Sequence, residues 1–556
     1  ADALAKRKKA TPRGQKKPEV MCREVCSVVT RGTRTFCYLD DVSVLERGET
    51  TTGPLIAIKE VLVDGRAGPD GEDGMDVDGE DAGTKAVCEY GVTIVDAITG
   101  VVTLGQFADD VLRSRMQTLL ASYNPSEVLY EAGQSGASKT LLGFLKSACP
   151  PNATIEPIQP KSRFPKSTAV NAEARRMLER VNADIRPWDA IEAVQELHNR
   201  GYYPRTSKKG IAADVLIGEG AEGVGRWPKI LRMCIEGGAT LALSSLGAAL
   251  FYLQRSLVDA ELLSMGIVKA YDPPNHGIEP AAGSSDTAHT DSPSSQFQEM
   301  YNEEARTVEG VDLVEQDNSK IDTSAAYAAE AKIDHMALDG NTISNLEILN
   351  NITSGSPQGS LFSKIDATQS PHGSRLLKAW LLRPLFIKYD IDRRADAVEE
   401  LAGGNAAVAM EEARGLLKKT GDLERLLSRI HSMGGGGQPR CGDNGTPSAS
   451  NGHPGDRAVL YETDKHTKRK VGDFSKLLNG LRSAAGIPEL FENVDIHSPL
   501  LEKLVRTTDD GGCFPSGMNQ KLDWFFDNFD LKKAARGEFE PARGMDEGYD
   551  EACDAI

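Results

Sequence analysis

The sequence lacks a C-x-x-C pair, a membrane-length apolar run, an overall basic charge and more than a modest share of aromatics. Each shortage excludes something. Its nine cysteines (22, 26, 37, 88, 149, 234, 441, 513 and 553) are odd in number and scattered, and its nine histidines form no cluster beside them. A structural zinc site needs four closely spaced N or S ligands, so reduced thiols in an intracellular protein are expected. The longest uncharged stretch, residues 237–254, is interrupted by Gly238, Thr240, Ser244, Ser245 and Gly247. That is poor material for a span of ~20 apolar residues, and no membrane partner is expected. With 82 acidic against 64 basic residues the net charge is −18, which excludes a uniformly basic nucleic-acid coat but not a local basic patch.

What is present is a long chain of 556 residues, enough for three or four domains at ~150 residues each. Apolar residues make up 40%, so wholesale disorder is excluded. The chain opens on Ala1 with no signal peptide behind it, and it is expected to be part of a longer protein. Residues 1–34 carry ten basic against three acidic side chains. Within residues 1–20, Lys6-Arg7-Lys8-Lys9 with Arg13, Lys16 and Lys17 allow a nuclear-import or DNA-contact reading, but a solvated charged loop is the better one. Residues 63–84 are acidic and Gly-rich. A calcium loop starting at Asp70 would need Gly at its sixth position, where Met75 stands, so this is a disordered insert.

Residues 20–38 alternate apolar and polar positions and turn at Gly32, as a strand pair would. From Ala86 the pattern becomes α/β. Two strands meet at Thr99-Gly100, and a helix follows over Asp109–Ser122. A strand at Glu127–Tyr130 and a helix at Thr140–Ser147 complete the alternation. Leu243, Leu246, Leu250, Leu253 and Leu257 then repeat at 3-4-3-4 spacing, one stripe of a long helix packed on other helices. Beyond a Ser/Thr/Pro-rich acidic linker at 272–330, helical patterns run over Thr342–Asn350, Pro371–Leu382, Ile391–Leu401, Ala406–Lys418 and Asp422–His431. A low-complexity insert at 434–455 interrupts them, and Lys470–Ala484 and Leu500–Val505 continue the series. Ser370 is placed to cap a helix whose first residue is Pro371, and Pro384 to end it.

One enzymatic signal stands out. Gly133-Gln134-Ser135-Gly136-Ala137-Ser138-Lys139-Thr140 lies between a strand and a helix, where a phosphate loop belongs. The pattern needs Gly where Ser138 stands, and a Cβ is costly where φ must be positive. With no clear magnesium-binding Asp downstream, an ordinary strand-helix connection is the better reading. No nucleophile elbow, zinc-protease helix or dinucleotide fingerprint occurs.

Several segments together resemble the MutS family of DNA mismatch-repair proteins, within it the larger subunit of the eukaryotic heterodimer for base mismatches and short loops. Residues 20–33 (VMCREVCSVVTRGT) resemble the close of the mismatch-recognition domain. Tyr90–Asp96, with Gly100 and Gly105-Gln106-Phe107, resembles the opening strands of the connector domain. Leu243–Leu263 resembles the long helix entering the lever. The most specific match runs from Met336-Ala337-Leu338-Asp339 through Asn345-Leu346-Glu347-Ile348, Asp366, Pro371, Gly373, Arg375, Trp380 and Pro384 to Asp422–Leu427.

The resemblance implies an RNase H-like connector followed by a long-helix lever/core domain, α/β plus all-α. Residues 1–45 would end the mismatch-recognition domain and 46–220 form the connector. Residues 221–271 and 331–556 would form the helical lever/core, approaching the clamp at the end, with both flanks of 272–330 in one bundle. Implied partners are mismatched double-stranded DNA, a second MutS-homologue subunit and downstream MutL-type repair proteins, in the nucleus. ATP and magnesium belong, by the same resemblance, to a P-loop ATPase domain beyond residue 556, so no catalytic site or cofactor is expected here.

The family's wedge Phe with a Glu two residues on would lie upstream; Phe297-Gln298-Glu299 repeats that spacing within the linker and is read as coincidence. Arg375, Lys378 and Arg383 are candidate DNA-backbone contacts, against the plainer reading of charges solvated or paired within the protein. Asp339, Asn345, Glu347, Asp366, Pro371, Gly373, Arg375, Trp380 and Pro384 are expected to be structural. Two other functions remain open, a helical adaptor without a nucleic-acid role and a degenerate phosphate-loop enzyme using Lys139.

Overall fold

The structure is a computed structural model. It describes residues 28, 30–33, 53–62, 88–132, 139–161, 186–203, 227–273, 335–434, 463–530, 533, 543–545 and 547–554. Residues 63–84, most of 20–38, Phe297-Gln298-Glu299 and the insert 434–455 except Gly434 lie outside them, as do the expectations placed there.

Strands β1 (Leu55–Leu62), β2 (Cys88–Asp96), β3 (Val101–Asp109), β4 (Glu127–Glu131), β5 (Thr154–Ile158) and β6 (Val268–Ala270) form one sheet in the order β5-β4-β1-β2-β3-β6. β1, β2 and β3 run antiparallel in turn, whereas β4 and β5 continue parallel to β1, and β6 parallel to β3. Successive side chains of a strand point to opposite faces. Leu55 and Ala57 therefore join one core with Leu104 and Leu129, while Ile56 and Ile58 join the other with Val92, Phe107 and Val128. Helices α1 (Ser114–Tyr123) and α2 (Lys139–Ala148) cover the second face. A strand buried on both faces needs no alternation, and for that reason Leu55-Ile56-Ala57-Ile58 escapes a period-2 reading.

Helices α3 (Ala190–Arg200), α4 (Lys229–Glu236) and α5 (Thr240–Ser256) cover the first face. The structure bears out a buried helix packed on other helices and adds the sheet as its second support. The leucine stripe is only part of α5, because fourteen of its seventeen residues are buried. A helix apolar on all sides sits inside a core, not at the seam of a bundle. Thr93 and Ser245 share a hydrogen bond of 2.7 Å across the sheet-helix contact. Gln106 Oε1 on β3 accepts from the Leu241 and Ala242 amides at 3.1 and 3.4 Å, capping the helix from another element. Gly91 makes the approach possible, since a Cβ there would lie 2.0 Å from the Leu241 carbonyl oxygen. The chain then turns at Leu257 (φ 59), forms α6 (Asp259–Leu263) and enters the same sheet as β6. Residues 227–271 thus complete the α/β unit and do not form one bundle with the helices after residue 335.

Those helices are α7 (Gly340–Asn345), α8 (Leu361–Ile365), α9 (Pro371–Leu382), α10 (Lys388–Ala402), α11 (Gly404–Thr420) and α12 (Leu423–Gly434). After the insert come α13 (Thr463–Ala485), α14 (Ile487–Phe491), α15 (Pro499–Val505), α16 (Met518–Asn528) and α17 (Glu547–Asp554). Ala397, Ala409, Ala413, Phe491 and Leu501 build one core here, and Leu478, Ala485 and Leu522 another. No helix is long and apolar enough to cross a membrane among the described residues.

Candidate inter-domain junction and DNA-contact residues

The residues of the 339–384 motif hold the start of the helical unit together. Asp339 caps α7 by accepting from the Thr342 amide at 2.6 Å, and Asn345 is the last residue of that helix. Glu347 adopts φ 49, a left-handed conformation unusual for a residue with a side chain. Its carbonyl accepts from the Leu361 amide (2.9 Å) and its Oε1 from the Ile352 amide (2.7 Å), which hold that turn. Asp366 accepts from the Ser374 hydroxyl (2.6 Å) and the Thr368 hydroxyl (2.7 Å), and these bonds lower its carboxyl below the ordinary range. Ser370 Oγ accepts from the Gly373 amide at 3.2 Å, with Pro371 at the first helical position. Trp380, half exposed, lies under the Arg394 guanidinium at 3.9 Å. The Pro384 carbonyl accepts from the Met336 amide at 2.8 Å, tying both ends of the motif.

The three candidate cations differ. Arg375 is forked onto Asp422, with Nη1–Oδ2 at 3.1 Å and Nη2–Oδ1 at 2.7 Å, and its Nε donates to Glu424 at 2.7 Å. Burial works against its charge, and the two carboxylates more than offset this. Arg383 donates to the Asp272 carbonyl, stands 3.7 Å from the Asp272 carboxylate and lies over the Tyr271 ring. Lys378 is half buried, with no hydrogen bond or ion pair to another described residue, and burial pushes its ammonium down.

Arg383 thereby belongs to a junction between the two units. α7 rests on α1, where Gln117 Nε2 donates to Asn341 Oδ1 at 2.9 Å. Ile343, Ile348 and Leu349 form a small core that Ala121 of α1 joins from the other unit. Ser264, which ends α6, shares a hydrogen bond of 2.8 Å with His431 on α12. Tyr271, Asp272, Gln117, Ser264 and His431 carried no signal in the sequence, because each partner lies more than a hundred residues away.

Behind the junction the α/β core is polar in places. Asp109 is fully buried and accepts from the Met116, Arg115 and Asp110 amides, yet burial dominates and raises its carboxyl to about 6. These amide bonds explain why α1 starts at Ser114 and not at Asp109. Glu60 accepts from the Tyr90 hydroxyl (2.9 Å) and from Arg113 Nη2 (2.9 Å). The phosphate-loop-like Gly133–Ser138 lies outside the described residues. Among the described residues no group of three or more His, Cys, Asp or Glu could hold a metal ion.

Comparison with known proteins accounts for this arrangement. The family model described as MutS domain II matches residues 80–159, within the α/β unit, and that of MutS domain III matches residues 341–518, within the helical unit. The chain is 30% identical over 539 residues to "DNA mismatch repair protein Msh6" of Homo sapiens, covering 96% of this chain and 32% of that protein. It is 31% identical over 566 residues to Msh6 of Gallus gallus, covering 100% and 34%. "DNA mismatch repair protein MutS" of Methanosarcina mazei matches at 31% over 207 residues, 37% of this chain and 21% of that protein. The chain thus spans about a third of the length of the curated Msh6 relatives it matches. Two domain models of one family, matched in order by two separately packed units joined at Arg383 and Asp272, place this chain in the MutS family.

Proposed function

We propose that the chain works in DNA mismatch repair, as the connector and lever/core of a subunit that binds mismatched double-stranded DNA. The single observation that carries the reading is the junction itself. A unit matching MutS domain II is fastened to one matching MutS domain III through side chains. Such a joint suits transmission. DNA and ATP sites at a distance can influence each other only through packed elements with two arrangements.

The connector reading gains support from strand order. The order β3-β2-β1-β4-β5, with the first three antiparallel and β4 and β5 parallel to β1, supports the RNase H-like connector that the family resemblance implies. On this reading the connector extends to about residue 273 and the lever/core begins near residue 335. The partners are a second MutS-homologue subunit and MutL-type proteins, in the nucleus, and ATP with magnesium is the business of a separate P-loop region. Among the three cations, Lys378 is the better DNA-backbone contact, because Arg375 and Arg383 would first have to leave carboxylate partners. The helical-adaptor reading is not favoured, since adaptor function predicts neither domain match.

The test is genetic and direct. Disrupting the gene is expected to raise the rate of base substitutions and short frameshifts, and reintroduction restores it. An unchanged mutation rate would sink the reading.

A further inference from the structure

Glu127 opens β4, and its side chain is almost wholly inside the protein, at 3% exposure. Both carboxyl oxygens are engaged, by groups from two distant parts of the chain. Oε1 accepts from the Tyr252 hydroxyl on α5 at 2.6 Å. Oε2 accepts from the Thr30 hydroxyl at 2.7 Å and from the Gly32 amide at 3.1 Å. The turn so held is tight. Thr30 and Thr33 hydroxyls are 2.7 Å apart, Thr33 is fully buried, and the Val28 amide donates to the Ser256 carbonyl at the end of α5. A Cβ on Gly32 would lie 2.8 Å from Glu127 Cβ and Oε2, so the contact leaves no room for a side chain.

A buried carboxyl that answers two hydroxyls and an amide is expensive to remove, since each donor would be left unsatisfied away from water. Its partners are not neighbours in sequence, lying 97 and 125 residues away. α5 leads through Leu257 into α6, which reaches the helical unit at Ser264 and His431. The segment at Thr30–Thr33, the start of interior strand β4 and the helix toward the junction are therefore linked through one side chain.

We propose that Glu127 is a positioning residue, a clasp that makes Thr30–Thr33 and α5 move as one body. Its functional weight rests on the reading of this segment as the close of the mismatch-recognition domain. The clasp carries a displacement of that domain into α5, and so to the junction with the helical unit.

The first arm measures hydrogen exchange on this chain and does not depend on repair activity. Glu127→Ala is expected to speed exchange at the Gly32 and Thr33 amides about tenfold or more, with the β2–β3 amides unchanged. Glu127→Gln, which keeps an acceptor oxygen, is expected to fall between. If Glu127→Ala does not fold, Thr30→Val and Gly32→Ala attack the clasp from the other side while leaving the Tyr252 bond in place. Unchanged exchange at residues 30–33 in the folded variants overturns the proposal, and so does an equal loss of protection across the whole sheet. In the heterodimer on mismatched duplex, Glu127→Gln is expected to change ATP-triggered release about fivefold and mismatch affinity less than about twofold. Unchanged release overturns the transmitting role. Absence of mismatch binding by the unsubstituted protein would instead sink the functional reading and leave the exchange result to decide the clasp.

Discussion

The Arg383 guanidinium stands 3.7 Å from the Asp272 carboxylate and 6.0 Å from the centre of the Tyr271 ring, so the last turn of α9 is held against the exit of strand β6. Neither side chain is fully buried (38% and 29% exposed), which limits what the pair contributes to stability. Its importance is geometric. It crosses between the units that match MutS domains II and III. A double-mutant cycle with Arg383→Ala and Asp272→Ala is expected to give a coupling of about 1 kcal/mol in unfolding of the α/β–helical contact. A coupling indistinguishable from zero would remove this pair from the junction.

Arg375 holds Asp422 in a two-bond fork, with Asp422 17% exposed. Arg375→Ala is expected to destabilise the helical unit by about 1–2 kcal/mol, because Arg425 remains as a second partner at 3.1 Å. The pH dependence has a definite sign. Burial opposes ionisation of Asp422, but the bonds and charge of Arg375 prevail and depress its carboxyl below 3.8. Its contribution is thus fully present above 3.8 and lost as pH falls through the depressed value. Urea titrations of both proteins across the acid range should converge at the acid end; a constant difference would contradict the assignment.

Asp109 has the opposite sign. Its carboxyl is raised from 3.8 to about 6 by burial, so the folded protein binds a proton more tightly than the unfolded chain. Between pH 3.8 and about 6 this group makes stability fall as pH rises, by up to about 3 kcal/mol in all. Asp109→Asn is expected to flatten that part of the difference profile. An identical slope in the wild type and the Asn protein would refute it.

Gly91 faces the Leu241 carbonyl oxygen at a distance that no Cβ tolerates, and the obstacle is backbone. Gly91→Val should cost about 3 kcal/mol or more, or prevent folding of the α/β unit. Near-neutral stability by thermal or urea unfolding would show that α5 can move off the sheet.

Lys378 gives the DNA prediction. If its ammonium meets a phosphate, Lys378→Ala lowers the slope of log affinity against log salt by about 1 and weakens matched and mismatched duplexes alike. An unchanged slope excludes the contact. Arg375→Ala and Arg383→Ala, whose charges are engaged within the protein, are expected to act through stability and not through this slope.

Local signals were legible where local chemistry decides the structure. Ser370, Pro371 and Pro384 bracket α9 because capping, a missing N–H and a ring clash act within a few residues. The 339–384 motif was likewise readable in order, and its residues form caps and turns near their own positions. By contrast β1, α5 and the junction were decided by burial and by contacts across the chain. Leu55-Ile56-Ala57-Ile58 lacks period-2 alternation because both its faces are covered. The stripe of Leu243, Leu246, Leu250 and Leu253 looked one-sided, since nothing local says that Ala242, Ser245 and Ala249 are also buried, with the helix lying on Gly91 of the sheet. The plainer reading of Arg375 and Arg383 as charges engaged within the protein holds, but their partners were not legible, because Asp422 and Asp272 lie 47 and 111 residues away. Composition and short-range patterning thus determined the class of each unit and the ends of several helices. Tertiary structure decided which charges are engaged and where residues 227–271 belong, because those are questions of what each side chain meets after the chain has folded.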